Sequence, residues 1–157
     1  MSRSKQLLLD SNLLLLYVVG AADPKLLPKH KRTAAFEFTP ADLELLLELM
    51  SRFDEWITTP NILTEVSNLS RHGVAGDRMA RVSDELTRFS AFGVEHYVET
   101  RRAADDACFR RLGLTDAGIC VLSETGVSVV TLDAMLADEL ARRGVDVLNF
   151  HHVRSLS

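Results

Sequence analysis

A carboxylate set inside a run of leucines constrains this chain more than any other feature. Leu7-Leu8-Leu9 leads into Asp10-Ser11-Asn12, and Leu13-Leu14-Leu15-Leu16 follows at once. The first leucines suit a short strand buried on both faces, and Leu13 to Val19 suits a buried helix. A carboxylate at the joint of two buried elements is costly unless it is paired or metal-bound. Asp10 is therefore the first candidate functional residue. The same segment imitates a secretory leader, since Arg3 and Lys5 precede it and Val18-Val19-Gly20-Ala21-Ala22 closes it. Asp10 and Asn12 interrupt the apolar run and leave no stretch long enough to span a bilayer. Cleavage there would also remove Asp10, so the expectation is no leader and no membrane span.

Beyond Asp10 the chain alternates between strand-like and helix-like segments. Residues 21–33 read as a loop, with Pro24, Pro28 and a basic cluster. Thr39-Pro40-Ala41-Asp42 is a helix start, and Leu43, Leu46, Leu47 and Met50 recur at helical spacing. Trp56 to Thr59 reads as a strand running into Pro60, which opens a helix carrying Ile62, Glu65, Val66 and Leu69. Gly73 and Gly76 mark a turn before an amphipathic helix over 77–92, and 94–98 suits a short strand. A helix is expected from about Glu99 to Leu112, then a short one capped by Thr115 or Asp116 and running through Leu122. Strand 127–130 precedes a helix opened by Thr131-Leu132-Asp133, which stops at Gly144, and Val145 to Leu148 reads as a last strand. This order predicts one domain over 1–157, an α/β sandwich with a mostly parallel sheet.

In such sheets ligands bind beyond the carboxyl ends of the strands. Asp10 and Asp133 fall there, Asp116 precedes the 127–130 strand, and Glu65 lies early in the helix after strand 56–59. Separately, Asp116 and Asp133 also read as helix caps and Glu65 as an exposed helix residue. Together they would form a cluster of hard oxygen donors, which suits Mg²⁺ or Mn²⁺. Zinc fits poorly, because no His/Cys group has ligand spacing and His151-His152 reads as a solvated tail. Cys108 and Cys120 follow no disulfide pattern and are expected buried and reduced, which agrees with a cytoplasmic protein.

Four segments carry a family resemblance: LLLDSNLLL around Asp10, TPNILTEVSNL around Glu65, LGLTDAGICVL around Asp116 and VSVVTLDAML around Asp133. In this order they resemble the PIN-domain nucleases, particularly the VapC-type toxin ribonucleases. The resemblance implies a three-layer α/β/α sandwich with a mostly parallel sheet and a metal-dependent phosphodiesterase, with Asp10, Glu65, Asp116 and Asp133 as metal ligands and catalytic residues. It also assigns Asn12 and Thr131 to support the site, against readings as a cap and a strand-end hydroxyl. An antitoxin protein as partner follows from the same analogy.

The expected activity is hydrolysis of phosphodiester bonds in RNA, preferably single-stranded. Net charge is −4, but removing four ligand acids from the 22 leaves 18 against 18 cations, so binding would depend on local patches. Lys25, Lys29, Lys31 and Arg32 form the best candidate patch, ahead of the pairs Arg101-Arg102 and Arg110-Arg111. The aliphatic helices at 40–53 and 77–92 are read chiefly as core and secondarily as a homodimer or inhibitor surface. Two alternatives stand beside the nuclease: a non-catalytic binding module on the same fold, and a small-molecule phosphohydrolase. The second usually carries an Asp two positions after the first, where this chain has Asn12.

Overall fold

A computed structural model describes residues 3–157. The apolar run at the start forms β1 (Gln6–Leu9), and Asp10 caps α1 (Ser11–Ala22) directly, so the helix begins earlier than the leucine pattern suggests. Leu13 to Leu16, Val18 and Val19 are all buried, as expected of a helix that is apolar all round. A 3₁₀ turn at Pro24–Leu26 and the start of α2 (Lys31–Ala35) then fall within the segment read as a loop. α2 has no apolar periodicity to announce it. Tertiary bonds hold it: the buried Thr33 hydroxyl donates to Leu27 O, and the His30 side chain caps its first turn.

The Thr39-Pro40 start is realised as a reciprocal capping box on α3 (Pro40–Met50), with the Asp42 carboxylate accepting the Thr39 N–H at 2.8 Å. β2 (Glu55–Thr58) runs into α4 (Pro60–Ser70), capped by the Thr59 hydroxyl. α5 (Asp77–Phe92) has the expected bounds, whereas β3 is only Val94–Glu95. The helix expected over 99–112 is broken into α6 (Thr100–Asp105) and α7 (Phe109–Leu112). At the break Asp106 is extended, its Oδ1 takes the Cys108 N–H, and both its oxygens accept from Arg143 at 2.7 and 2.8 Å. α8 (Leu114–Ser123), β4 (Ser128–Thr131), α9 (Ala134–Arg142) and β5 (Val147–Asn149) follow. His151 and His152 lie in α10 (Phe150–Ser155), which is anchored by the buried Phe150 and is not a loose tail, although both imidazoles are exposed.

The sheet order is β3-β2-β1-β4-β5, and all four pairings are parallel. Helices α1 to α5 pack on one another around α1, and α6 to α9 form a second group around α8, giving the α/β/α sandwich. Cys108 and Cys120 are buried free thiols with Sγ atoms 3.2 Å apart. No described helix is long and apolar enough to cross a membrane.

Candidate acidic site at the carboxyl end of the sheet

Parallel pairing of β1 with both β2 and β4 brings three strand ends together. Asp10 leaves β1 there, Thr59 leaves β2 into the helix of Glu65, and Thr131 ends β4 two residues before Asp133. The Asp10 N–H donates to Val130 O at 3.1 Å, so the carboxylate is fixed by the sheet itself. Asp10 is 4% exposed. Its Oδ1 accepts the Leu13 N–H at 2.9 Å, and its Oδ2 accepts the Leu132 N–H at 2.8 Å and the Thr131 hydroxyl. Burial pushes this carboxyl above its ordinary range, outweighing the three donors that favour its charged form, and the Asp133 charge adds to the rise.

Asp133 is exposed and caps α9, its Oδ1 accepting the Met135 and Leu136 N–H groups. Its own N–H donates to Thr131 Oγ1 at 2.9 Å. Thr131 thus touches both the first and the last acid of the set, in keeping with a supporting place beside them.

Asp116 sits in the first turn of α8, where the helix starts after Gly113 and not at a side-chain cap, contrary to the capping role read from sequence. Gly113 has φ +86°, a conformation glycine adopts without a Cβ penalty, and this sharp entry sets the direction of the helix. The Asp116 carboxyl is pushed up to about 7, first by burial and then by the charges of Asp10, Asp133 and Glu65. The four acids therefore share one electrostatic field. Glu65 reaches it from α4, which packs against α8. Neither Glu65 nor Asp116 accepts a hydrogen bond among the described residues, so both keep their oxygens available.

These donors suit a hard divalent cation in type: all are carboxylates, and the repulsion that raises Asp116 is what such a cation would relieve. Their side chains stand apart, since among the described residues no three His, Cys, Asp or Glu groups converge tightly enough to hold an ion as they are. Two further hydroxyls at this end of the sheet were not singled out by the sequence pattern. Ser11 Oγ and Thr58 Oγ1 are buried without a hydrogen-bond partner among the described residues. Buried orphans of this kind cost about 1–3 kcal/mol each, and an incoming oxygen ligand or water would satisfy them. Ser11 adjoins Asp10 and was legible by position, whereas Thr58 carried no signal.

The remaining sequence candidates divide. Asn12 does not cap α1; its Oδ1 accepts the Arg32 Nε–H at 3.3 Å. Arg32 is thereby held two residues from Asp10. Lys31 is its neighbour at the start of α2, and Lys29 lies on the preceding turn. Lys25 follows the opposite end of α1, about 18 Å away over a helix of 12 residues. A separate cleft of about 530 Å³ opens where β1 begins, lined by Arg3, Lys5, Arg52 and Asp146 among others, at the other end of the sheet from the acids. No protein-family model matches the chain, and no curated protein matches it.

Proposed function

We propose that this protein is a divalent-metal-dependent nuclease that hydrolyses phosphodiester bonds in single-stranded RNA. The observation that carries the reading is the placement of Asp10, Asp133, Asp116 and Glu65 around the carboxyl end of the parallel sheet, where the charges of the other three reach Asp116. Asp10 and Asp133 also cap α1 and α9, but helix capping gives no reason for Asp116 and Glu65 to share their field, where each like charge raises the energy of the others. Mg²⁺ or Mn²⁺ would be held by Asp10, Asp116 and Asp133, with Glu65 completing the acidic pocket. Such an ion supplies Lewis-acid stabilisation of charge on the phosphate and lowers the pKa of a bound water.

The chain's own residues prepare that chemistry. Leu13, Leu132 and Thr131 fix both Asp10 oxygens and favour its ionised form. Thr131 holds Asp133 in register with Asp10 through the backbone of Asp133. Asp133 keeps Oδ2 free while Oδ1 is spent on capping α9. This arrangement requires no His or Lys base.

The test is to incubate wild type and Asp10→Asn with mixed single-stranded RNA in Mg²⁺, in Mn²⁺ and in chelator. Metal-dependent cutting by wild type alone is expected. Wild-type turnover by Asp10→Asn would remove the acidic site from the reaction. Binding without cutting under every condition would favour a non-catalytic module, and release of phosphate from a monoester would favour a phosphohydrolase.

A further inference from the structure

Beside the acids, the start of α2 and the end of α4 enclose a cleft of about 270 Å³ lined by Lys31, Arg32, Ala35, Leu69 and His72. It carries cations where the acidic site carries anions. Several independent contacts build it. His30 is fully buried, and its Nδ1 accepts the Arg32 N–H at 3.2 Å while its Nε2 lies 3.1 Å from Ser70 O. The Nδ1 contact fixes the proton on Nε2, so the imidazole ties α2 to the end of α4 by donating to Ser70. On the other side Gly73, at φ +93°, passes so close to α2 that a Cβ would stand 2.5 Å from Lys31 N. Two connections that are distant in sequence are thereby locked together around the cleft.

Within it, the Arg32 guanidinium lies over the Phe36 ring at 5.1 Å and donates Nε–H to Asn12. Both terminal amino groups remain for another ligand. Neither Lys31 nor Arg32 pairs with a carboxylate among the described residues. Arg3, Arg71, Arg78, Arg101 and Arg110 also lack a carboxylate partner among the described residues, so what distinguishes Arg32 is its orientation by Asn12 and Phe36. A guanidinium oriented by an amide and an aromatic ring, with its outer fork free, is suited to bidentate capture of a phosphate.

We propose that Arg32 and Lys31 each bind one of the two backbone phosphates next to the scissile one, so that single-stranded RNA leaves the acidic site past Asn12 into this cleft. The inference rests on the nuclease reading and adds the direction of the strand to it. Leu69 and Ala35 give the cleft an apolar wall, and His72 lines it with an imidazole, a ring type on which a neighbouring base can stack. Asn12 is a positioning residue here, orienting Arg32 from one turn of α1.

The experiment measures binding of a labelled single-stranded RNA oligonucleotide in chelator, by fluorescence anisotropy over a range of salt. Lys31→Gln/Arg32→Gln should weaken binding about tenfold near physiological salt and flatten the log–log salt slope by about 1.4, two phosphates at ~0.7 each. Arg52→Gln, at the opposite end of the sheet, should leave both unchanged. If the double variant melts early, Arg32→Gln carries the test with a slope change of about 0.7, since that side chain is exposed. Wild type that binds and cuts RNA, with a double variant of equal affinity and slope, overturns the cleft and leaves the nuclease standing. Wild type that neither binds nor cuts overturns both.

Discussion

The Thr131 hydroxyl donates to Asp10 Oδ2 and accepts the Asp133 N–H at 2.9 Å, so one side chain couples two acids 123 positions apart. Both bonds are used, and neither is replaceable by an apolar group of the same shape. Thr131→Val would leave Asp10 with two donors instead of three and the Asp133 N–H without its acceptor. Stability should fall by about 1–3 kcal/mol, and metal-dependent cleavage by tenfold or more at ~1.4 kcal/mol per decade. Thr131→Ser should recover most of both. Chemical denaturation and initial cleavage rates measure these effects, and a valine variant equal to wild type would show the coupling to be idle.

Asp116 offers a pH test of crowding that needs no substrate. Its folded-state carboxyl is raised to about 7, so between about pH 4 and 7 the folded chain binds the proton more tightly than the unfolded one. Stability from this group is therefore present at low pH and lost as pH rises through the window. At pH 8 in chelator, Asp116→Asn should be the more stable protein, by on the order of 1–4 kcal/mol, and the gap should close towards pH 4. Mg²⁺ or Mn²⁺ should raise the melting temperature of wild type at pH 8 and raise that of the variant much less. A variant no more stable than wild type at pH 8 would mean that neither burial nor the neighbouring charges raise Asp116.

What the sequence revealed follows the range of the forces involved. β1, α3 and α5 were legible because leucine runs, the Thr39-Pro40-Asp42 start and helical periodicity are local signals. α2 was hidden because its stability comes from Ser70 and Leu27, through His30 and Thr33, and not from its own pattern. Asp10, Asp116 and Asp133 could be picked out because acids at strand ends and helix starts are legible by position, whereas Glu65, mid-helix, drew its weight from the family resemblance. The contact of Arg32 with Asn12 spans 20 residues and the fold of an intervening turn, and no spacing rule encodes it.

The break between α6 and α7 has the same long-range origin and a measurable cost. Arg143 grips both Asp106 oxygens and also reaches Glu139. The guanidinium beside Asp106 holds its carboxyl well below the usual range. Stability from this pair is therefore present above the unfolded carboxyl value near 4 and lost as pH falls through the folded value. Asp106→Asn should cost about 1–3 kcal/mol at pH 7, and its deficit should shrink below about pH 4. Urea unfolding at neutral and acid pH measures this. A deficit constant with pH would mean that shape, not charge, holds the break.

His30 titrates in the direction opposite to Asp116, and this separates the acidic site from the cationic cleft. Burial lowers the imidazole pKa more than the backbone carbonyl of Ser70 raises it. A second proton would have to enter at Nδ1, where the Arg32 N–H now donates, so protonation breaks the cap of α2. The neutral ring therefore contributes stability that is full above the unfolded value near 6.5 and is lost as pH falls through the lower folded value. His30→Gln should destabilise the fold by about 1–3 kcal/mol at pH 8, with a smaller deficit at pH 5. Over the same interval wild type gains stability on acidification through Asp116, so the two contributions oppose each other in its total stability. The difference between wild type and each variant isolates each contribution. If α2 is the platform for Arg32, His30→Gln should also weaken RNA binding at pH 8 without removing a charge, leaving the salt slope intact. Weakened affinity with an unchanged slope identifies His30 as a positioning residue, whereas unchanged affinity would detach α2 from the binding surface.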